Sequence, residues 1–295
     1  MAVNTKAIKR RIKSVTSTKK ITKAMEMVSA AKMRKAVENA LKTRTYAKLA
    51  WDILVDLSKT EKSNLPLLAI RPVKKVLLIL ITSNRGLCGS FNSNIIKKTA
   101  EQIKNSQQDV AIEVLGIGKK GAEFSKKMNY NLIASFTDLS DTPNQKDISP
   151  ICKMVIEEYT KENYDKIVVA YTDFKSAIAQ IAKIKQVLPI SEHDLETMVG
   201  DLKEIKTEKI SDYLFEPDKE KVLEYVLPKL VETQILQAAL ESAASEQSAR
   251  MMAMRSASDA ATDMITELNL NFNKARQAGI TQEIAEIAGG AAALE

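Results

Sequence analysis

The residues best placed for chemistry are three glycines. Gly116, Gly118 and Gly121 form the pattern G-x-G-x-x-G, written GIGKKG. They follow a strand-like apolar run and open a helical one. Glycines at this spacing let backbone N–H groups approach a pyrophosphate at a helix N-terminus, as dinucleotide sites require. Two features weigh against that use. The motif follows the second strand, not the first, and no acidic residue closes a following strand about 20 positions on. Asp138 lies past the third strand. The competing reading is a tight turn in an α/β fold. A second loop, SNRGLCGS at 83–90, lies at the C-terminal end of the first strand, where α/β folds bind ligands. It lacks the Gly-Lys-Ser/Thr of a phosphate-binding loop. A Cys88 nucleophile would need a base beside it, and the one histidine, His193, falls in a polar stretch far along the chain. Cys88 therefore reads as a buried small residue and His193 as a surface residue. Met251, Met252 and Met254 read as adaptable packing surface. Cys88 and Cys152 make no disulfide framework. No catalytic constellation, metal cluster or cofactor site is expected.

The elements that position these loops follow from periodicity. VLLILIT at 76–82 is a continuous apolar run, the mark of a strand buried on both faces. Further strands are expected at 110–116, 132–136, 166–171 and 179–188. Helices are expected at 92–105, 121–128 and 148–163, with Pro150 in the first turn of the last. Strand and helix alternating at this spacing predict a mostly parallel, Rossmann-like α/β sheet. Polar residues 191–209 read as loop.

On either side the period is helical. Residues 4–57 hold no proline or glycine. Ile8, Ile12, Val15, Thr18, Ile21, Met25 and Val28 step by three and four, a narrow coiled-coil-like seam. After Pro228 the chain has no proline and no glycine until Gly279. A helix from there to Ala288 would run ~60 residues, or ~90 Å. Pro228 is expected to break or kink it near its start. Scattered charges exclude a bilayer span. One rod enters the α/β domain and the other leaves it, so a pair must be antiparallel. Ile280, Ile284, Ile287 and Ala288 make an apolar tip that the first helix need not cover, and an uncovered apolar tip belongs inside another protein. The chain divides into an N-terminal coiled-coil helix at 1–58, a linker at 59–72, an α/β domain at 73–211, and a return segment with the C-terminal helix at 212–295.

The net charge is +7. The excess sits on the first helix, where Lys6, Lys9, Arg10, Arg11, Lys13, Lys19, Lys20, Lys23 and further cations up to Lys48 face only Glu26 and Glu38 over the same stretch. Such a helix is either a solvated face or a surface for acidic groups. A single arm without a base-reading Arg/Asn cluster argues against DNA. No apolar signal core opens the chain.

At this point particular segments carry a resemblance. KKITKAMEMVSAAKMRKA at 19–36, SNRGLCGSFN at 83–92, DYLFEPD at 212–218, ASEQSARMMAM at 244–254 and NKARQAGITQEIAEIAGGAAAL at 273–294 closely resemble the gamma subunit of F-type ATP synthase, in register over the whole chain. The resemblance implies a fold in which N- and C-terminal helices form a long antiparallel coiled coil with an inserted α/β domain. It implies a central-stalk rotor, without bond chemistry of its own, that transmits torque between an ion-driven c-ring and a hexamer of alpha and beta subunits. Epsilon and the c-ring are the partners at the foot, and no cofactor or nucleic acid is implied. Met25 and Arg85 match positions that meet an acidic loop of beta. Arg276, Gln277 and Thr281 match positions that engage a beta catch loop. Tyr213 and Glu216 match residues that touch the c-ring. The chain lacks the cysteine-bearing insert of the chloroplast form, and no transit peptide is seen, so a bacterial protein peripheral to the cytoplasmic face of the membrane is expected. A nucleotide-dependent enzyme and a basic coiled-coil nucleic-acid binder stay open as alternatives.

Overall fold

The computed structural model describes residues 5–58, 65–105, 110–190 and 218–292. Helix α1 covers Thr5–Ser58, and a short 3-10 turn follows at Pro66–Leu68. The α/β part then runs β1 (Lys75–Ile81), α2 (Phe91–Asn105), β2 (Ala111–Ile117), α3 (Lys119–Lys127), β3 (Asn131–Phe136), α4 (Gln145–Thr160), β4 (Lys166–Phe174) and β5 (Gln180–Leu188). Helix α5 covers Lys219–Ala292. The chain divides into two compact units, one made of Met1–Ser29 with Arg250–Glu295, the other of Ala30–Ala249.

In the second unit the strands form one sheet in the order β3-β2-β1-β4-β5. Strands β1 to β4 are parallel, and β5 returns antiparallel to β4 at the edge. Side chains alternate along a strand, so Leu77, Ile79 and Ile81 face one side and Val76, Leu78 and Leu80 the other. The first side packs on Ile148, Ile151 and Val155 of α4 and on Leu223, Leu227, Leu230 and Ile235 of α5. The second packs on Ile95 of α2 and Phe124 of α3. Both faces are covered, which is why β1 reads as an unbroken apolar run.

Two prolines sit differently from expectation. Helix α4 starts earlier than its apolar pattern does, because Asn144 caps it: its side chain accepts from the N–H groups of Lys146 and Asp147, and Asp147 reciprocates to the N–H of Asn144. That capping box puts Pro150 in the second turn, not the first. Pro228 does not break the C-terminal helix, which runs continuously through it from Lys219. Leu227 and Leu230 on either side are buried in the core, and that packing holds the helix across the missing N–H.

Along α1 one stripe of covered positions runs through Thr5, Ile8, Ile12, Val15, Lys19, Thr22, Glu26, Ser29, Met33, Ala36 and Ala40, flanked by part-covered Thr16, Met25, Ala30, Lys32, Val37, Asn39 and Thr43. The stripe's spacing alternates strictly between three and four, a heptad seam. This corrects the seam read from the sequence at Thr18, Ile21 and Val28, while Met25 is half-buried beside it. Thr18 is exposed, and Ile21 and Val28 are 60% and 54% exposed. Steps of three, three, four and three drift off a straight stripe, whereas Thr22 and Ser29 hold it and are small enough for close helix contact. On α5 the matching stripe is Met254, Ser258, Ala261, Ile265, Leu268, Phe272 and Ala275. Within the first unit these two segments run side by side. Both continue as helix into the second unit at Ala30 and Ala249, so they are antiparallel. Among the described residues no helix is long and apolar enough to cross a membrane.

Candidate functional site

The glycine motif is closed from within. Gly118 has φ of +94°, and a Cβ there would lie 2.1 Å from the carbonyl oxygen of Thr82. A Cβ on Gly121 would lie 2.9 Å from the Thr82 hydroxyl. The glycines thus admit the end of β1, not a ligand. The three N–H groups that would cradle a phosphate are already engaged. Lys119 donates to Asn84 Oδ1 at 3.0 Å, Lys120 to the Ser83 carbonyl at 3.1 Å, and Gly121 to Thr82 Oγ1 at 2.7 Å. These are the orphan donors of a helix N-terminus, and residues 82–84 satisfy all three. The motif is a tight turn that locks α3 to β1. A polar run of Thr, Ser and Asn directly after β1 was the signal available for this in the sequence.

The loop at 83–90 is rigid below and open above. Ser83 N–H donates to Asn92 Oδ1, and Asn92 Nδ2 donates to Ser83 Oγ at 2.7 Å and lies 3.2 Å from Cys88 Sγ. Asn84 Nδ2 donates to the Thr137 carbonyl at 2.7 Å. Cys88 is buried, as its reading as a small core residue required. Above this network Arg85 and Leu87 are exposed. Leu87 has φ of 63° and is 65% exposed. A leucine in the left-handed region costs free energy, and here the network beneath holds it there.

The remaining expected positions are distributed along the two long helices. Met25 is half-buried beside the seam, next to Glu26, which pairs with Lys23 at 2.9 Å. Arg276, Gln277 and Thr281 are exposed on α5 just past Ala275, where its covered stripe ends. Thr281 Oγ1 donates to the Gln277 carbonyl at 2.9 Å. Every residue from 276 to 290 is exposed. Ile280, Ile284 and Ile287 lie on one face of that stretch by helical spacing. Tyr213, Glu216 and His193 lie outside the described residues. Met25 thus stands on α1, Arg85 on the loop after β1, and the 276–281 group on α5.

The cysteines carry no chemistry that the geometry can use. Burial, and then the Glu232 carboxylate, push the Cys152 thiol up to about 12, far from a reactive thiolate. Tyr164 is also pushed up, by burial and by its hydrogen bond to the Glu113 carboxylate. Asp165 is held low by N–H groups of Lys75 and Lys74, a structural tie across the entry to β1. Among the described residues no cluster of His, Cys, Asp or Glu could hold a metal ion.

Comparison with known proteins gives one consistent answer. The family model described as ATP synthase matches residues 4–294. A relative described as ATP synthase gamma chain, from Alkaliphilus metalliredigens, is 42% identical over 297 residues, covering 100% of both chains. Another of that description, from Roseiflexus castenholzii, is 43% identical and covers 99% of this chain and 98% of its own. Among solved structures, a chain of the Tetrahymena thermophila mitochondrial ATP synthase central stalk and c-ring is 28% identical, with a TM-score of 0.60, covering 81% of this chain and 99% of that one. A chain from the Euglena gracilis mitochondrial ATP synthase shares the fold, with a TM-score of 0.65 over 98% of this chain at 19% identity.

Proposed function

The chain belongs to the ATP synthase gamma-chain family, and from that premise we propose that its work is mechanical. It is the central-stalk rotor of a rotary ATP synthase. It carries torque between the c-ring and the hexamer of alpha and beta subunits, in the direction of synthesis or, reversed, of ATP-driven ion pumping. The subunit itself is non-catalytic, binds no cofactor and acts at the cytoplasmic face of a bacterial membrane, with epsilon and the c-ring at its foot. Its working parts are the coiled-coil helices at 1–58 and 212–295, joined to the α/β domain at 73–211 by the linker at 59–72.

One observation carries this reading: α5 runs on bare for fifteen residues past the end of its seam, with Ile280, Ile284 and Ile287 exposed. Large exposed apolar surface marks a site for another protein, and a helix of that kind is suited to turn inside an apolar sleeve. Arg276, Gln277 and Thr281 at its base engage a catch loop of beta. Met25 and Arg85 meet an acidic beta loop, drawn by the cations of α1. Exposed Ile21, Met27 and Val28 on the outer face of α1 add apolar surface to the same contact. Tyr213 and Glu216 touch the c-ring.

The test is a tagged pull-down from solubilised membranes with mass and ATPase activity read on one eluate. A large complex that hydrolyses ATP, and loses coupling when this chain is removed, is the expected result. Recovery of the chain alone, or with a dinucleotide or nucleic acid bound, would overturn the reading.

A further inference from the structure

The last turn of α5 inside the second unit is gripped by polar contacts from the end of β4 and the β4–β5 hairpin. Ser245 Oγ donates to the Thr172 carbonyl at 3.1 Å, at the end of β4. Ser248 Oγ donates to the Ala177 carbonyl at 2.7 Å, in the β4–β5 hairpin. Gln180 Nε2 donates to the same carbonyl at 3.0 Å and lies 3.4 Å from Ser248 Oγ. Gly89 of the 83–90 loop, with φ of +54°, also comes near this turn: a Cβ on it would lie 3.9 Å from the Ala249 carbonyl oxygen. Ser245 and Ser248 are fully buried.

The parts that do the gripping are themselves fixed. The hairpin is closed by the N–H groups of Lys175 and Ser176 donating to the Ala179 carbonyl. Ser176 Oγ accepts from Ile178 and Ala179. Asp173, buried at the hairpin's base, pairs with Lys183 at 2.6 Å and Lys175 at 3.5 Å.

Apolar burial is non-directional. It holds α5 on the sheet but sets its rotation about its own axis only through shape. Hydrogen bonds have narrow angular preferences, so hydroxyls on one helix face, bonded to carbonyls of a fixed hairpin, define that rotation. They stand at Ser245 and Ser248, one turn before the point where α5 passes from one unit to the other. We propose that Ser245 and Ser248 are positioning residues. With the β4–β5 hairpin they form a collar that fixes the rotational setting of α5 in the α/β domain and bears the twisting load there. The proposal rests on the rotor reading.

The experiment uses the whole ATP synthase in sealed vesicles, comparing the parent chain with Ser245→Ala/Ser248→Ala and, at the hairpin, Gln180→Ala. Alanine removes the hydroxyl with little change of shape. The double variant is expected to assemble and hydrolyse ATP like the parent, while ions pumped per ATP fall as the opposing gradient grows. Loss of two such bonds, at about 1 kcal/mol each, should raise hydrogen exchange at the hairpin amides of Lys175 and Ser176 by about 5- to 30-fold. Gln180→Ala should give the same pattern more weakly. Parent-like pumping under load together with parent-like exchange would overturn the collar. So would assembly lost in the double variant but kept in the parent, since the hydroxyls would then be needed only to fold. A parent chain that joins no ATPase would instead sink the rotor reading.

Discussion

Helix α5 contains two regions built on opposite terms. From 226 to 249 it has no exposed residue, and its covered positions include Glu232, Thr233, Gln234, Gln237, Glu241 and Ser242 as well as Val231 and Ile235. From 255 onward it is covered along one stripe, and past 275 it is not covered at all. The first region is surrounded by its own chain and pairs part of its polar surface, Gln237 with Glu241 at 2.6 Å and Glu232 with Lys229 and Gln145, while Gln234 Oε1, Gln237 Oε1 and Ser242 Oγ are buried without a hydrogen-bond partner among the described residues. The second leaves its large apolar groups for something else to cover. The contrast teaches that one helix can carry two kinds of surface: the inner region holds the fold, and the outer region leaves large apolar side chains uncovered.

That contrast can be broken by mutation. Ala249→Pro, inside the helix and beside the serine contacts, should cost ~3 kcal/mol or more. It should also uncouple ion flow from ATP synthesis. Denaturant titration reads the first effect and vesicle pumping the second; full coupling in this variant would end the picture of a continuous torque rod. Ile235→Val, which removes one methyl from the fully buried inner region, should lower stability by about 1 kcal/mol, read as a shift in the denaturation midpoint with unchanged slope.

A gentler probe of the inner region is pH. Cys152 on α4 lies near Glu232, and its thiol is pushed from 9.0 up to about 12. In the range between these values the unfolded chain releases this proton and the folded chain keeps it, so stability is intact below pH 9 and falls as pH rises toward 12. Cys152→Ala should flatten that fall, as measured by denaturation at stepped alkaline pH. The smallest effect is expected at the tip. Ile284→Ala, at a side chain 61% exposed, should change the stability of the isolated chain by no more than about 0.5 kcal/mol yet weaken assembly with the hexamer. A large stability loss there would erase the distinction between the two regions.

Much of the architecture was legible in residue patterns. The apolar run at β1 announced a buried parallel strand, and the proline-free ends announced two long helices. What stayed hidden was set by tertiary contact. The covered stripe of α1 passes through Lys19, Thr22, Glu26 and Ser29 rather than Thr18, Ile21 and Val28, because a steady three-four period, not the hydrophobicity of single residues, keeps a stripe on one face. Pro228 reads locally as a helix breaker, and the core around Leu227 and Leu230 overrides it. The glycine motif had the right local context for a dinucleotide. Only the placement of Thr82, Ser83 and Asn84 against it shows that its amides are taken. Arg85 and the 276–281 group drew attention through family resemblance, since an exposed residue leaves no trace in a periodicity.

The strict three-four seam has a consequence for direction. A seven-residue repeat falls short of two full helical turns, so a pair that keeps it coils left-handed. About 25 paired residues span ~37 Å, roughly a quarter of a ~150 Å supercoil pitch. A twisted pair does not answer alike to the two senses of torsion. One sense winds it tighter and presses Thr22 and Ser29 into the seam; the other opens it. Such a pair is a chiral spring, and its resistance to torsion differs with the sense of the twist.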